Sequence, residues 1–190
     1  YGIIDRDYRS NYEIEAYKED NIFTLEVAEV ENLFLTEELL QVVSDIMGFS
    51  DSSKIEKVKK YIIEKRFAEE IDKQICEAIV AEVKFKLTTA AISKKSEEKA
   101  KETLEKAFRE ISYDNIKTEQ EQKFKQILES KIYSEVLKVF NCKSLSTSTG
   151  HFFELDNKAY RDFIIRQIKG KRAKDIIDAI TSYLPNDIPR

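Results

Sequence analysis

An apolar stripe longer than any other regularity in the chain limits its fold most severely. Ile55, Val58, Ile62, Ala68, Ile71, Ile75, Ile79, Val83 and Leu87 recur mostly at steps of three or four residues, the repeat of one helix side. Unbroken to about Ile92, such a helix is roughly 60 Å long at 1.5 Å per residue. Its stripe has to be shielded by other helices. Ser53, with Glu56 three residues on, has the capping-box pattern that opens it. The shields follow in sequence. Ser96 stands before "EEKAKETLEKAFREI", and Thr118 with Glu121 repeats the capping box ahead of Phe124, Ile127, Leu128, Ile132, Val136 and Val139. These features predict an antiparallel helical arm over residues 51–140. Its many charges read first as a solvated face, and otherwise as a dimer contact or a nucleic-acid clamp.

Composition supports long helices: 36% of the residues are charged, against only 4 Gly and 2 Pro. The net charge of −4 excludes a whole-surface grip on nucleic acid or anionic lipid, so any such ligand needs a local basic face. No apolar run approaches the roughly 20 residues that span a bilayer, and no signal peptide is visible. The expectation is a cytoplasmic protein without a membrane partner. Cys76 and Cys142 lie far apart with no C-x-x-C pair, and read as buried free thiols. The lone His151 reads as structural. The chain opens on Tyr1 and enters an apolar stretch at once, as a piece of a longer chain would.

A small α/β part flanks the arm. Residues 1–4 and "NIFTLEV" at 21–27 read as short buried strands, and Arg9 to Asp20 between them suits a short helix or crossover. That order predicts a parallel unit. Thr36, Glu37 and Glu38 mark a helix start, and Leu39, Leu40, Val43 and Met47 supply its apolar side before Gly48. After the arm, "NCKSLSTSTG" reads as a loop and "HFFEL" as a brief strand. Ala159 to Ile168 and Ala173 to Leu184 read as closing helices before "PNDIPR". The fold class is therefore mainly α with a small α/β part. Residues 1–50 form the α/β core, 51–140 the arm, and 141–190 the closing segment.

The candidate chemistry sits where the first strand ends, in "YGIIDRDY". Asp5 and Asp7 stand at i and i+2, so in extended backbone their side chains share a face with Cα atoms about 6.5 to 7 Å apart. Two carboxylates held so close raise a pKa, and a hard divalent cation relieves the repulsion; an exposed acidic turn is the plainer alternative. The second strand runs into "EVAEVENLFL", which offers Glu26, Glu29 and Glu31 beside Asn32. Neighbouring strands bring these acids toward Asp5 and Asp7, although Glu29 and Glu31 suit a helix N-terminus equally. The most basic stretch carries Arg161, Arg166, Lys169, Lys171, Arg172 and Lys174, and a solvated helix start is its plain reading.

"GIIDRDY", a spacer, and "NIFTLEVAEVENLFL" together resemble the TOPRIM-like domain fused to, or encoded beside, AAA or ABC-type ATPases in bacterial anti-phage systems. That domain is related to overcoming-lysogenization-defect nucleases. The likeness covers roughly residues 1 to 45. It implies a partial TOPRIM-like parallel sheet carrying the arm as an insertion, with Asp5 and Asp7 as ligands of Mg²⁺ or Mn²⁺ and Glu31 as a further candidate. The family's acid on an earlier strand has no counterpart here, so the resemblance implies an incomplete active site with little activity alone. A Gly-Lys pair near the family's end matches Gly170 and Lys171. This implies that Lys171 stabilises charge on a scissile phosphate while Arg166, Lys169, Arg172 and Lys174 hold nucleic acid. The implied partners are nucleic acid, an ATPase domain or subunit, and a second copy through the arm.

Two other readings stay open. In a haloacid-dehalogenase-like phosphotransferase Asp5 is the nucleophile and Asp7 the acid/base, but Arg9 stands where that family usually has Thr or Val. In an assembly module the arm pairs with a second copy or with the ATPase, and the acids have no catalytic role.

Overall fold

The computed structural model describes residues 1–49, 51–156 and 159–185. The expected "PNDIPR" end lies, beyond Pro185, outside the described residues. β1 (Gly2–Ile4) and β2 (Ile22–Thr24) pair in parallel, Gly2 opposite Ile22 and Ile4 opposite Thr24, and α1 (Asn11–Glu19) makes the crossover. Ser10 starts α1 through a reciprocal cap. Its Oγ accepts from the Glu13 N–H at 3.2 Å, and Glu13 Oε2 accepts from the Ser10 N–H at 2.7 Å. Asn21, at φ +59°, then turns the chain directly into β2, a conformation that Asn tolerates better than most residues.

Beyond β2 the backbone is clamped by distant segments. The Glu26 N–H donates to the Tyr183 carbonyl at 3.0 Å and the Ala28 N–H to the Leu137 carbonyl at 2.9 Å. A 3₁₀ turn at Val30–Leu35 leads into α2 (Glu37–Ile46), which buries Leu39, Leu40 and Val43 as its spacing predicts. Gly48, at φ +77°, terminates that stretch.

The long stripe forms one helical run from Ser53 to Thr88, comprising α3 (Ser53–Lys60), a π-helical segment (Tyr61–Phe67) and α4 (Ala68–Thr88). It ends short of Ile92. Its start is not the expected Ser53–Glu56 box. Asp51 Oδ1 accepts from both the N–H and the hydroxyl of Ser53, at 3.0 and 2.6 Å, a shorter-range turn that takes the groups a capping box needs. Burial fades along the run. Val58, Ile62 and Phe67 are sealed, whereas Val80 and Leu87 are 44% and 41% exposed.

Ser96 caps α5 (Glu97–Glu110) by accepting from the Lys99 N–H, in line with the sequence. α6 (Tyr113–Ser130) departs from expectation because Ser112, upstream of Thr118, caps it first. Thr118 lies inside the helix with its hydroxyl donating to the Asp114 carbonyl at 2.8 Å. Lys131, at φ +53°, ends α6, so Val136 and Val139 belong to a separate α7 (Tyr133–Val139), with Ile132 at the junction. The long run and α6 lie antiparallel: Glu82 of α4 meets Gln120, while in the π-helical segment Phe67 meets Phe124 and Glu64 meets Lys131, just past α6. α5 buries no side chain, and its Leu104 and Phe108 stay exposed.

The expected strand at "HFFEL" is instead a 3₁₀ turn, Gly150–Phe153, with Glu154 at φ +58°. The chain doubles back so tightly that a Cβ on Gly150 would lie 2.9 Å from the Asp156 carbonyl oxygen. α8 (Ala159–Gln167) and α9 (Ala173–Thr181) close the molecule, with α9 against α2. The core draws on all three sequence stretches, from Leu25 and Leu40 through Phe67 to Phe140 and Tyr160. Cys142 is buried as expected and Cys76 is exposed, contrary to expectation, because it lies on a different side of α4 from the buried Gln74 and Ala78. His151 stacks on Phe152 at 4.0 Å and meets Tyr61 edge-on, a structural setting. Among the described residues no helix is long and apolar enough to cross a membrane.

Candidate functional site

Parallel pairing puts the carboxyl ends of β1 and β2 side by side, where open α/β sheets hold ligands. The two aspartates do not share an extended face there. β1 stops at Ile4, and Asp7 is left-handed at φ +47°. The physical reason is a local knot built on Arg9. Its Nη1 donates to the Asp5 carbonyl at 2.8 Å and to Asp7 Oδ2 at 2.5 Å, while the Asp7 N–H donates to the Ala28 carbonyl at 2.8 Å. Asp5 Oδ1 accepts from the Val30 N–H at 2.8 Å and so fixes the start of the 3₁₀ turn that carries Glu31. Tyr8 anchors the turn to α4. Its hydroxyl donates to Glu77 Oε2 at 2.6 Å, with Gln74 Oε1 at 2.9 Å, and burial raises its pKa well above that of an ordinary phenol.

The acids converge on Glu29. Only 6% exposed, its side chain leaves Oε2 without a hydrogen-bond partner. Its carboxyl is pushed up from 4.5 to about 7, first by desolvation and then by Glu31; Lys143 opposes the rise, and Asp5 and Asp7 add to it. The strand-end acids bear electrostatically on Glu29, the most perturbed of them. Glu31 pairs with Arg161 at 4.0 Å, and Glu26 with Arg6 at 3.5 Å.

The basic stretch reaches this cluster at one residue, Arg161. Arg172 pairs with Asp175, and Arg166 Nε donates to the Asp162 carbonyl at 3.2 Å. Lys169, Lys171 and Lys174 are exposed in and after the α8–α9 turn. Among the described residues no hydrogen bond or ion pair joins Lys171 to Asp5, Asp7 or Glu29. Sequence reasoning missed Lys143, which faces Glu29 from a loop that reads only as small and polar. It also missed Gln74, which is fully buried on α4. Gln74 Nε2 donates to the Asn141 carbonyl at 3.0 Å, and its Oε1 accepts from the Asn141 N–H at 2.9 Å. The one available signal was Gln74 itself, a polar residue beside the apolar stripe.

The oxygen-only donors, their mutual repulsion and the orphaned Glu29 oxygen fit a hard divalent cation in chemistry. They are gathered as a field rather than a finished coordination sphere, since no three acidic, His or Cys side chains among the described residues form a metal-holding group. Glu29 also gives the fold a pH dependence. Its folded-state pKa lies above the unfolded value, so its burial costs nothing below about 4.5 and its full amount above about 7. Glu29→Gln is therefore expected to be more stable than wild type by about 2 kcal/mol near pH 8 and nearly equal near pH 4, measured by thermal unfolding. Comparison of the chain with family models, with curated proteins and with solved structures found no match.

Proposed function

We propose that this chain is a fragment of a TOPRIM-like, metal-dependent nuclease domain that acts on nucleic-acid phosphodiesters alongside an AAA- or ABC-type ATPase in phage defence, and that it has little activity alone. The observation that carries the reading is that Asp5, fixed by the Val30 N–H, and the buried Glu29 with its unpartnered Oε2 both follow the carboxyl ends of two parallel strands. The ATPase and the defence role rest on the resemblance alone.

In this reading Asp5, Asp7 and Glu29 would supply the oxygen donors, although among the described residues they do not stand as one metal-holding group. A bound Mg²⁺ or Mn²⁺ would supply charge neutralisation and an activated water. The chain's own residues prepare the place. Val30 occupies one oxygen of Asp5 and leaves the other available. Arg9 fixes the turn that carries Asp7, and Lys143 tempers the negative field at Glu29. Exposed Leu104 and Phe108 on α5 favour the arm as the surface that meets a second copy or the ATPase.

Titration with Mn²⁺, followed by calorimetry, tests the metal centre. Asp5→Asn and Glu29→Gln are each expected to weaken binding about tenfold or more. Because Glu29 must shed its proton, wild-type affinity should rise as pH passes through about 7. Binding that ignores both substitutions overturns the reading.

A further inference from the structure

A second cleft opens on the other side of the Asp5–Asp7 turn, between that turn, α6 and α7, with a volume of about 370 Å³. This is at the small end of ligand pockets, about 300 to 1,000 Å³. Its charged lining consists of four cations, Arg6, Arg9, Lys123 and Lys138, against two carboxylates, Asp7 and Glu135. Asp7 pairs with Arg9 at 2.5 Å and Glu135 with Lys138 at 3.7 Å, so these four charges compensate one another and the positive excess rests on Arg6 and Lys123. Arg6 uses part of its donor fork on Asn11 Oδ1 at 3.2 Å and on Glu26 at 3.5 Å, which leaves further N–H groups over.

Lys123 has no ion pair within 4.0 Å among the described residues, and it stands within electrostatic reach of Arg6. Although the residue as a whole is exposed, its ammonium is held below the usual lysine pKa. Desolvation is the first cause and Arg6 the second, with Glu82 and Glu135 pulling the other way. Arg6 and Lys123 line one cleft, and cations gathered in a shared, partly desolvated space are costly until an anion joins them. Ser10 and Asn11, at the start of α1, line the same space, where the Ser10–Glu13 cap already occupies that helix end.

We propose that Arg6, Lys123 and Lys138 seat a phosphate of the nucleic-acid backbone in this cleft, on the strand-end turn that also carries Asp7. The proposal deepens the nuclease reading and rests on it. It moves the nucleic-acid grip from the α8–α9 turn to the base of the arm. A backbone phosphate held there presents the neighbouring phosphodiester to the acidic strand ends, a positioning role that carries no base information.

The test is binding of a fluorescently labelled DNA oligonucleotide, followed by anisotropy over a salt series in EDTA, so that metal loading plays no part. Lys123→Glu is expected to weaken binding about tenfold, and Lys123→Gln to reduce the magnitude of the salt slope by about one. Lys101→Gln, on exposed α5, is the charge-matched control and is expected to bind as wild type does. Circular dichroism of each variant confirms that the helices persist. If Lys171→Gln and Lys174→Gln weaken binding while the Lys123 variants do not, the seat is wrong and the nuclease reading stands. If wild type binds no oligonucleotide, the seat is overturned, and the Mn²⁺ titration judges the metal centre independently.

Discussion

Asn32→Asp is expected to destabilise the protein by about 4 kcal/mol, lowering the melting temperature by roughly 8 to 16 °C for a chain of this size. Asn32 is fully buried, and its Nδ2 donates to the Leu137 and Phe140 carbonyls, each at 2.9 Å. Those carbonyls end α7, where no helical N–H remains to satisfy them. The Asn32 side chain is thus a cap supplied from another part of the chain. Aspartate has the same shape but no donor. It would set a buried negative charge against two carbonyl oxygens at the negative pole of a helix. The existing Asn32 Oδ1 has no partner, so the donors are what the position contributes. Calorimetric unfolding measures the loss. An Asn32→Asp protein as stable as wild type would show that α7 does not depend on this cap.

Phe67→Ala is expected to cost about 4 kcal/mol, the usual loss when a sealed aromatic leaves a cavity. Phe67 is fully buried where the long helical run passes from core to arm. It stacks on Phe124 of α6 at 6.1 Å and meets Phe140 edge-on at 5.4 Å. Removing it loosens the arm from its base as well as emptying the core. Phe108→Ala is the matched control. That ring is 58% exposed on α5, and its loss should stay within about 0.5 kcal/mol. Chemical denaturation of the two variants separates a residue that fixes the arm from one that merely sits on it. Equal effects would mean that the arm does not depend on the aromatic cluster.

The architecture was readable wherever the signal is local. β1, α1 and β2 follow from short apolar runs around a polar connection, and α2, α8 and α9 from apolar spacing and flanking turns. Helix starts were mixed: Ser96 caps α5 as its position suggests, but Asp51 takes the Ser53 groups that a Ser53–Glu56 box needs, and Ser112 caps α6 ahead of Thr118. The Asp5–Asp7 turn was misjudged for a related reason. Arg9 gathers both residues into a knot, and one side chain's hydrogen bonds override the extended conformation that alternation suggests. The site was half legible: the acids were visible, but the identity of the most perturbed one was not. Glu29 owes its pKa to burial and to Glu31, and meets Lys143 only because the loop after α7 folds back over the strand ends. Lys123 was invisible for the same cause, since its relation to Arg6 exists only once α6 lies beside the turn.

The π-helical segment from Tyr61 to Phe67 sets the angular phase of everything beyond it. Each residue of a regular helix advances the side chains by about 100°, so one residue more or fewer in that span swings the whole distal shaft round its axis. Gln74 and Glu77 then leave Asn141 and Tyr8, and the turn bearing Asp5 and Asp7 loses its mooring. An insertion or deletion is therefore expected to cost more in these seven positions than at the far end of the shaft, where α5 buries no side chain. The residue count there is a gear tooth: it meshes the arm with the acids at its foot.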